Sequence, residues 1–444
     1  MEIEKGAGKL AKTMRLLIPD KPGYLGRVTT AIGMGGSNIG DIRIVRIGLT
    51  HNTREMTIYV DSEEHLARIL HDIAAIDGVA IEEVIDLVRQ LHEGGKITMK
   101  GTRPIRSIND LRKLYTPGVA AVCLDIRKHP ELAWKYTAIG NQVAIVTNGT
   151  AILGLGDIGA VAGMPVMEGK AALFDHFVGI SGIPILIQNR DPQVIIETVK
   201  NIAPSFGAIK LEDIAAPECF EIEAALDAAL DIPVLHDDQH GTAVVVLAAL
   251  INASRLSGVS LAAATVGVIG LGAAGMGISK LLMAHGVKTV IGTDLKESAK
   301  SMLAAAGGTA GSLDEVMNRS RIVVATTGVP GLIKPQMVLP GQVILALSNP
   351  NPEIAPEAAL EAGAAFAADG KSVNNALGFP GIFRGALNVR ASRIDNSMLI
   401  AAAEAIAGCA EANEIVPSIL HPEVHRQVTA AVELAAVNAG LARV

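Results

Sequence analysis

The stretch "ATVGVIGLGAAGMGISKLLMAHGVKTVIGTD", residues 264–294, compresses an apolar run, a glycine turn, a helical spacing and a second apolar run into one unit. The turn is Gly-x-Gly-x-x-Gly at Gly270, Gly272 and Gly275, and Asp294 closes the second run about 20 residues further on, the full spacing of a dinucleotide-binding βαβ unit. Each residue type has a physical reason. Gly270 permits the tight turn, Gly272 lets the backbone approach a pyrophosphate, and Gly275 lets helix and strand pack closely. Ala273 opens the helix, whose first N–H groups face the phosphates, and Asp294 accepts from ribose hydroxyls. An acid there favours NAD, since it repels the extra phosphate of NADP; Lys296 and Lys300 stand close enough to keep NADP open.

Outward from this unit, short apolar runs end abruptly in polar residues: "QVAIVTNG" (142–149), "IPILIQN" (183–189), "AIKLED" (208–213) and "IPVLHDD" (232–238). Buried parallel strands read this way, so the expected fold class is α/β, with a Rossmann-type domain and a second α/β domain. Ligands bind outside the carboxyl ends of such strands. There the sequence places two acid pairs, Glu212 with Asp213 and Asp237 with Asp238. One reading is a divalent site, Mg²⁺ or Mn²⁺, which takes hard oxygen donors. The other is capping of the helices that follow. His236 and His240 add no zinc pattern.

A second Gly-x-Gly-x-x-Gly, Gly154 to Gly159, has no acid after a following strand and reads as a loop. Beyond it, Pro165 and Gly169 place the expected helix start at Lys170, where free amides disfavour an ammonium and would suit a neutral base; a solvated surface lysine is the alternative.

Residues 11–88 alternate differently: "TMRLLIP", "IRIVRIGLT", "TREMTIYVD" and "VAIEEVIDLV" read as strands and two stretches between them as helices, giving a ferredoxin-like βαββαβ order. "DKPGYLGRV" and "GSNIGDI" within it resemble an ACT domain. That resemblance implies a small-molecule effector pocket bordered by Pro22, Gly23, Asn38 and Ile39; a purely dimerising module is the alternative. The expected division is 11–88, 89–240 for substrate and metal, 241–390 for the dinucleotide, and 391–444 as helices packing on the substrate domain.

The chain has 444 residues, a formal charge of −7 and three scattered cysteines. No Lys/Arg cluster offers a nucleic-acid footprint, no apolar run approaches a membrane span of about 20 residues, and the start carries no export signal. A cytoplasmic small-molecule enzyme is expected, with the cysteines as buried thiols in a reducing compartment.

From Gly101 onward, "LYTPGVA", "LGLGDIG", "MEGKAALF", "LEDI", "HDDQHGTA", "ALSNPNPE" and "NNALGFPG" occur in the order found in malic enzymes, most similar to the small bacterial forms. The resemblance implies NAD(P)-dependent oxidative decarboxylation of (S)-malate to pyruvate and CO₂. It assigns the metal to Glu212, Asp213 and Asp238, the base to Lys170 oriented by Asp237, and the general acid to Tyr115. Asn349 and Asn375 line the substrate and nicotinamide end. Eukaryotic members carry an arginine where this sequence has Ala151, which leaves the substrate-carboxylate grip unassigned. Malolactic conversion of malate to lactate is the rival activity, and a silent dinucleotide sensor the rival class. A homo-oligomer built on dimers is expected.

Overall fold

The computed structural model describes residues 10–444 other than Leu153 and Ser372. The start of the chain, read as lacking an export signal, lies largely outside them. The chain divides between Lys96 and Ile97 into two compact units.

In the first unit, strands β1 (Leu10–Pro19), β2 (Asn38–Ile47), β3 (His51–Val60) and β4 (Ala80–Ile85) form an antiparallel sheet in the order β2-β3-β1-β4. Helices Tyr24–Met34 and Glu63–Ala74 follow β1 and β3, so the βαββαβ order of the sequence is observed. Alternation decides the faces: Met14, Leu16 and Ile18 are buried against Val28, Ile32, Ile69 and Ile73. Between them Arg15 lies on the other face, opposite both Glu55 and Glu83. The expected strand through Val88 stops at Ile85. Asp86 instead caps a short helix, Leu87–His92, accepting from the Arg89 N–H at 3.1 Å and pairing with buried Lys12 at 2.8 Å.

The second unit holds two parallel sheets. Strands β5 (Gln142–Thr147), β6 (Ser181–Leu186), β7 (Ala208–Leu211) and β8 (Val234–His236) pair in the order β6-β5-β7-β8. Strands β9 (Thr265–Ile269), β10 (Thr289–Thr293), β11 (Thr309–Ala310), β12 (Ile322–Ala325), β13 (Val343–Ala346) and β14 (Phe366–Asp369) pair in the order β11-β10-β9-β12-β13-β14. The latter is the doubly wound dinucleotide-binding order, with its reversal between β9 and β12.

Helix Asp237–Ser257 is long and apolar enough to cross a membrane by composition alone. It is a core helix: Val244 to Leu250 are all buried. Helices Ala273–Ala284 and Asn396–Cys409 pack on it, and Asn252 Nδ2 donates to the carbonyls of Ala407 and Ile415, both at 3.0 Å. The C-terminal helix Val424–Asn438 packs on Phe379–Asn388 and Asn396–Cys409.

Phe174, fully buried, meets the edges of Phe379 (centroids 4.9 Å) and Phe383 (5.4 Å), joining helix Met164–Val178 to helix Phe379–Asn388. Phe174→Ala removes this volume from a close-packed interior. It should lower unfolding free energy by about 3–5 kcal/mol in urea titration, with Phe174→Leu losing less.

Candidate active site

Parallel pairing of β7 with β8 sets Leu211 beside His236, so the acid pairs that follow leave the sheet side by side. Glu212 and Asp213 are buried, at 2% and 3% exposure. One carboxylate oxygen from each of Glu212, Asp213 and Asp238 lies within 4.8 Å of the others, and this trio is the group suited to a metal ion among the described residues. Asp213 takes a left-handed φ of 53°, uncommon outside glycine though tolerated by Asp, and its N–H donates to Asp238 Oδ2 at 2.9 Å. The backbone is thus bent to close the trio.

Capping does not account for the second pair. His236 stands at the N-cap of helix Asp237–Ser257 with no side-chain cap, and both aspartates lie inside the first turn. Nor do the histidines form a zinc site: His236 Nε2 pairs with Asp238 at 3.1 Å and His240 Nε2 with Glu223 at 3.0 Å.

Lys170 lies in the second turn of helix Met164–Val178, not at its start. Pro165 occupies the first turn, where a missing N–H costs nothing, so the proline begins the helix instead of delaying it. The helix-terminus argument for a neutral lysine therefore fails, and tertiary contacts define the residue. Its Nζ lies 2.9 Å from Asp237 Oδ2, 3.0 Å from Glu212 Oε1 and 3.0 Å from Asn375 Oδ1, so three expected site residues converge on it.

A residue that sequence reasoning missed completes the cluster. Lys210 on β7 is fully buried, contacts Glu212 and reaches Asp237 Oδ2 at 2.9 Å. Both ammonium groups lie over the Phe379 ring, at 4.9 Å and 4.7 Å from its centroid. The sequence signal was a lysine inside the apolar run "AIKLED", where a strand buried on both faces should carry none.

The electrostatics follow from burial. Burial pulls the Lys210 ammonium down to about 8, and lifts the Asp213 carboxyl to about 7, aided by the neighbouring charge of Asp238. Asp237 loses solvation too, but the two lysines hold it below its ordinary value. For His236, burial opposes the charged form, yet the bond to Asp238 carries it up to about 10. Oδ2 of Asp213 is buried with no hydrogen-bond partner among the described residues. An orphaned carboxylate oxygen beside two further acids fits a hard divalent cation.

The glycine turn also takes its expected form. Gly270 has φ 90°, and a Cβ there would meet the Thr326 carbonyl at 2.8 Å; a Cβ on Gly275 would meet the Gly270 carbonyl at 1.8 Å. Nothing lies within 4 Å of a Cβ on Gly272, which leaves open the approach a pyrophosphate needs. Ala273 begins the helix, and Asp294 Oδ2 accepts from the Leu271 N–H at 2.8 Å, fixing the acid beside the turn.

Two expected residues are not brought to the cluster. Tyr115 caps helix Ile108–Leu114 at 66% exposure, in a stretch from 97 to 142 where no side chain is buried. Asn349 is exposed in the loop after β13.

Known proteins resemble this chain in sequence and fold. The family described as malic enzyme, N-terminal domain, matches residues 94–227, and malic enzyme, NAD binding domain, matches 304–442. Between them, the NAD binding domain of D-isomer specific 2-hydroxyacid dehydrogenases matches 224–330. NAD-dependent malic enzyme 1 of Bacillus subtilis is 58% identical, over 98% of this chain and 99% of its own. A bifunctional malic/malolactic enzyme of the same organism is 43% identical, over 79% of this chain and 92% of its own. The crystal structure of malic enzyme from Pyrococcus horikoshii superimposes with a TM-score of 0.75 at 42% identity, covering 79% of this chain and 88% of that one. With similarity of this extent along nearly its whole length, the chain belongs to the malic enzyme family.

Proposed function

We propose that this protein catalyses the NAD-dependent oxidative decarboxylation of (S)-malate to pyruvate and CO₂. The observation that carries the reading is the convergence of Lys170, Asp237, Asn375 and the trio Glu212, Asp213 and Asp238 at the carboxyl edge of one sheet. Simple alcohol oxidation needs a base and a hydride acceptor; the acid trio is an addition suited to decarboxylation. The full-length relative at 58% identity is NAD-dependent, and Asp294 beside the glycine turn agrees with NAD.

Glu212, Asp213 and Asp238 would hold Mg²⁺ or Mn²⁺. When bound, such a cation supplies charge stabilisation for the oxygens of the reacting acid. Gly270, Gly272, Ala273, Gly275 and Asp294 would hold NAD, which supplies the hydride acceptor. Lys170 takes the proton from the C2 hydroxyl, and Asp237 orients its Nζ. Lys210, on the other side of Asp237, keeps that carboxylate ionised and in place. Asn375 fixes Lys170 from the dinucleotide side of the chain. After loss of CO₂, Tyr115 is the proposed donor to C3, and Asn349 the proposed contact at the nicotinamide end.

The first unit is proposed as an ACT-like effector module. Its ferredoxin-like topology supports this, as does Gly23, which turns the chain into the first helix at φ 90°. A cytoplasmic, dimer-based homo-oligomer completes the proposal.

Incubation with malate, Mn²⁺ and NAD should yield pyruvate and reduced cofactor in equal amounts, abolished by EDTA. Lactate without reduced cofactor would show malolactic chemistry instead. Lys170→Ala should lower kcat by about 10²–10⁴-fold, the range for loss of a general base, with the fold intact by circular dichroism.

Proton competition gives a second test. Folded, metal-free Asp213 keeps its proton up to about pH 7, whereas its ordinary value is 3.8. Between these values the folded chain binds the extra proton, so this group's contribution to stability falls as pH rises. A cation must displace that proton. Calorimetric Mn²⁺ affinity should therefore rise by up to about tenfold per pH unit towards pH 7 and then level off. Asp213→Asn should weaken binding and flatten the slope.

A further inference from the structure

The second unit buries one more acid, outside the group at the ends of β7 and β8. Glu353 is 0% exposed, and a glutamate is so deeply buried only where its oxygens are satisfied. Four neutral donors satisfy it. Oε1 accepts from the Thr327 N–H at 2.7 Å, the Thr327 hydroxyl at 2.9 Å and the Ser348 hydroxyl at 2.5 Å, and Oε2 accepts from the Ser348 N–H at 3.2 Å. Ser348 Oγ in turn accepts from the Gly328 N–H at 2.7 Å.

These donors belong to two loops: Thr327 and Gly328 follow β12, and Ser348 follows β13. Behind the carboxylate the same two segments are joined again. The Gly331 N–H donates to the Pro352 carbonyl at 3.1 Å and the Ile333 N–H to the Glu353 carbonyl at 3.0 Å, while Ile333 and Ile354 share one buried cluster. Backbone bonds and apolar packing thus hold the segments together without a buried acid. What the acid adds is local: it fixes Thr327, Gly328 and Ser348 where the chain leaves the sheet edge. Gly328 and Asn349, the residues that follow Thr327 and Ser348, are exposed.

A dinucleotide crosses a doubly wound sheet where its strand order reverses, here between β9 and β12. The glycine turn after β9 and Asp294 after β10 mark the pyrophosphate and adenosine side, so the nicotinamide half falls over the ends of β12 to β14. Thr326 joins the sides: its N–H donates to the Ile269 carbonyl at 2.8 Å and its hydroxyl to the Gly270 carbonyl at 3.1 Å. Asn375, beyond β14, accepts from Lys170 at 3.0 Å. In strand order the loops that Glu353 joins therefore lie between the glycine turn and the base. We infer that Glu353 is a positioning residue for the nicotinamide half of the cofactor, acting through the Thr327–Gly328 and Ser348–Asn349 loops and not by contact. The inference rests on the dinucleotide reading and on Asn349 as the contact at the nicotinamide end.

The test is calorimetry on the full-length protein with two probes, NAD and ADP, the second lacking the nicotinamide half. The wild type should bind both; if it bound neither, the dinucleotide reading would fall and this inference with it. Glu353→Gln keeps the volume but turns one acceptor into a donor facing donors. It should weaken NAD binding by about tenfold or more, since buried donors lose their partner. ADP binding should stay within about twofold, as expected of a site with no shared contacts. Ser348→Ala deletes only the hydroxyl between Gly328 and Glu353. It should weaken NAD binding by about threefold, and it keeps the test decisive should Glu353→Gln fail to fold. Hydrogen exchange on the cofactor-free protein adds a readout apart from binding: in the variants the Thr327, Gly328 and Ser348 amides should exchange faster, and the Leu271 amide, held by Asp294, should not. Equal weakening of NAD and ADP would show a general structural role and overturn the inference. So would a wild type that binds NAD with an affinity both variants keep.

Discussion

Four carboxylates at one sheet edge set the terms for the second unit. Glu212, Asp213, Asp237 and Asp238 sit where β7 and β8 end, with little water to screen them. Like charges about 4 Å apart repel by roughly 4 kcal/mol at an effective dielectric of 20, so such a cluster persists only with counter-charge. Lys170, Lys210 and His236 supply part of it from within the chain. Asp213, whose carboxyl is lifted to about 7 and whose Oδ2 has no hydrogen-bond partner among the described residues, marks where the remainder is missing. The same arithmetic suits the cluster to a cation and keeps Lys170 paired beside it.

The cluster is tied to the dinucleotide turn by one helix. Helix Asp237–Ser257 starts with the second acid pair, runs buried through the unit and receives helix Ala273–Ala284 along its side. At the contact, a Cβ on Gly277 would lie 2.4 Å from the Gln239 carbonyl, so only glycine permits that approach. The dinucleotide helix therefore carries one glycine more than its phosphate turn needs. Its function is packing: it brings the cofactor helix against the turn that holds Asp237 and Asp238. Phe379 makes the corresponding link from the other direction, its ring under both ammonium groups and its edge-on contact to Phe174 holding the helix that bears Lys170.

The stretch from 97 to 142 follows a different rule. Helix Ile108–Leu114 has a side-chain cap, Ser107 accepting from the Asp110 N–H at 3.1 Å, whereas helix Val119–Lys128 has none, and no side chain of the stretch is buried. Local signals are enough to form such helices, but burial is what fixes where they dock. Tyr115 shares that exposure, so its motif is readable in the sequence while burial does nothing to fix its place.

Much was legible in the sequence by itself. The glycine spacing with Asp294, the strand runs and the two acid pairs depend on local geometry and on sheet edges, and both are written in periods of two and in turn residues. Those periods determined the α/β class, the βαββαβ order of the first unit and the place of the two acid pairs; the choice of Glu212, Asp213 and Asp238 among them is what the family resemblance implies. The tertiary structure alone decided the rest. Pro165 reads locally as a break but begins a helix, because the first turn has no N–H bond to lose. Val88 reads as strand but follows a capping aspartate held by Lys12, 74 residues away in sequence. Lys210 reads as an anomaly in a strand and becomes half of a clamp on Asp237, whose other half, Lys170, lies 67 residues from it. No local pattern encodes such partners, because the charge that makes each placement favourable comes from a distant segment and exists only once the sheet has formed.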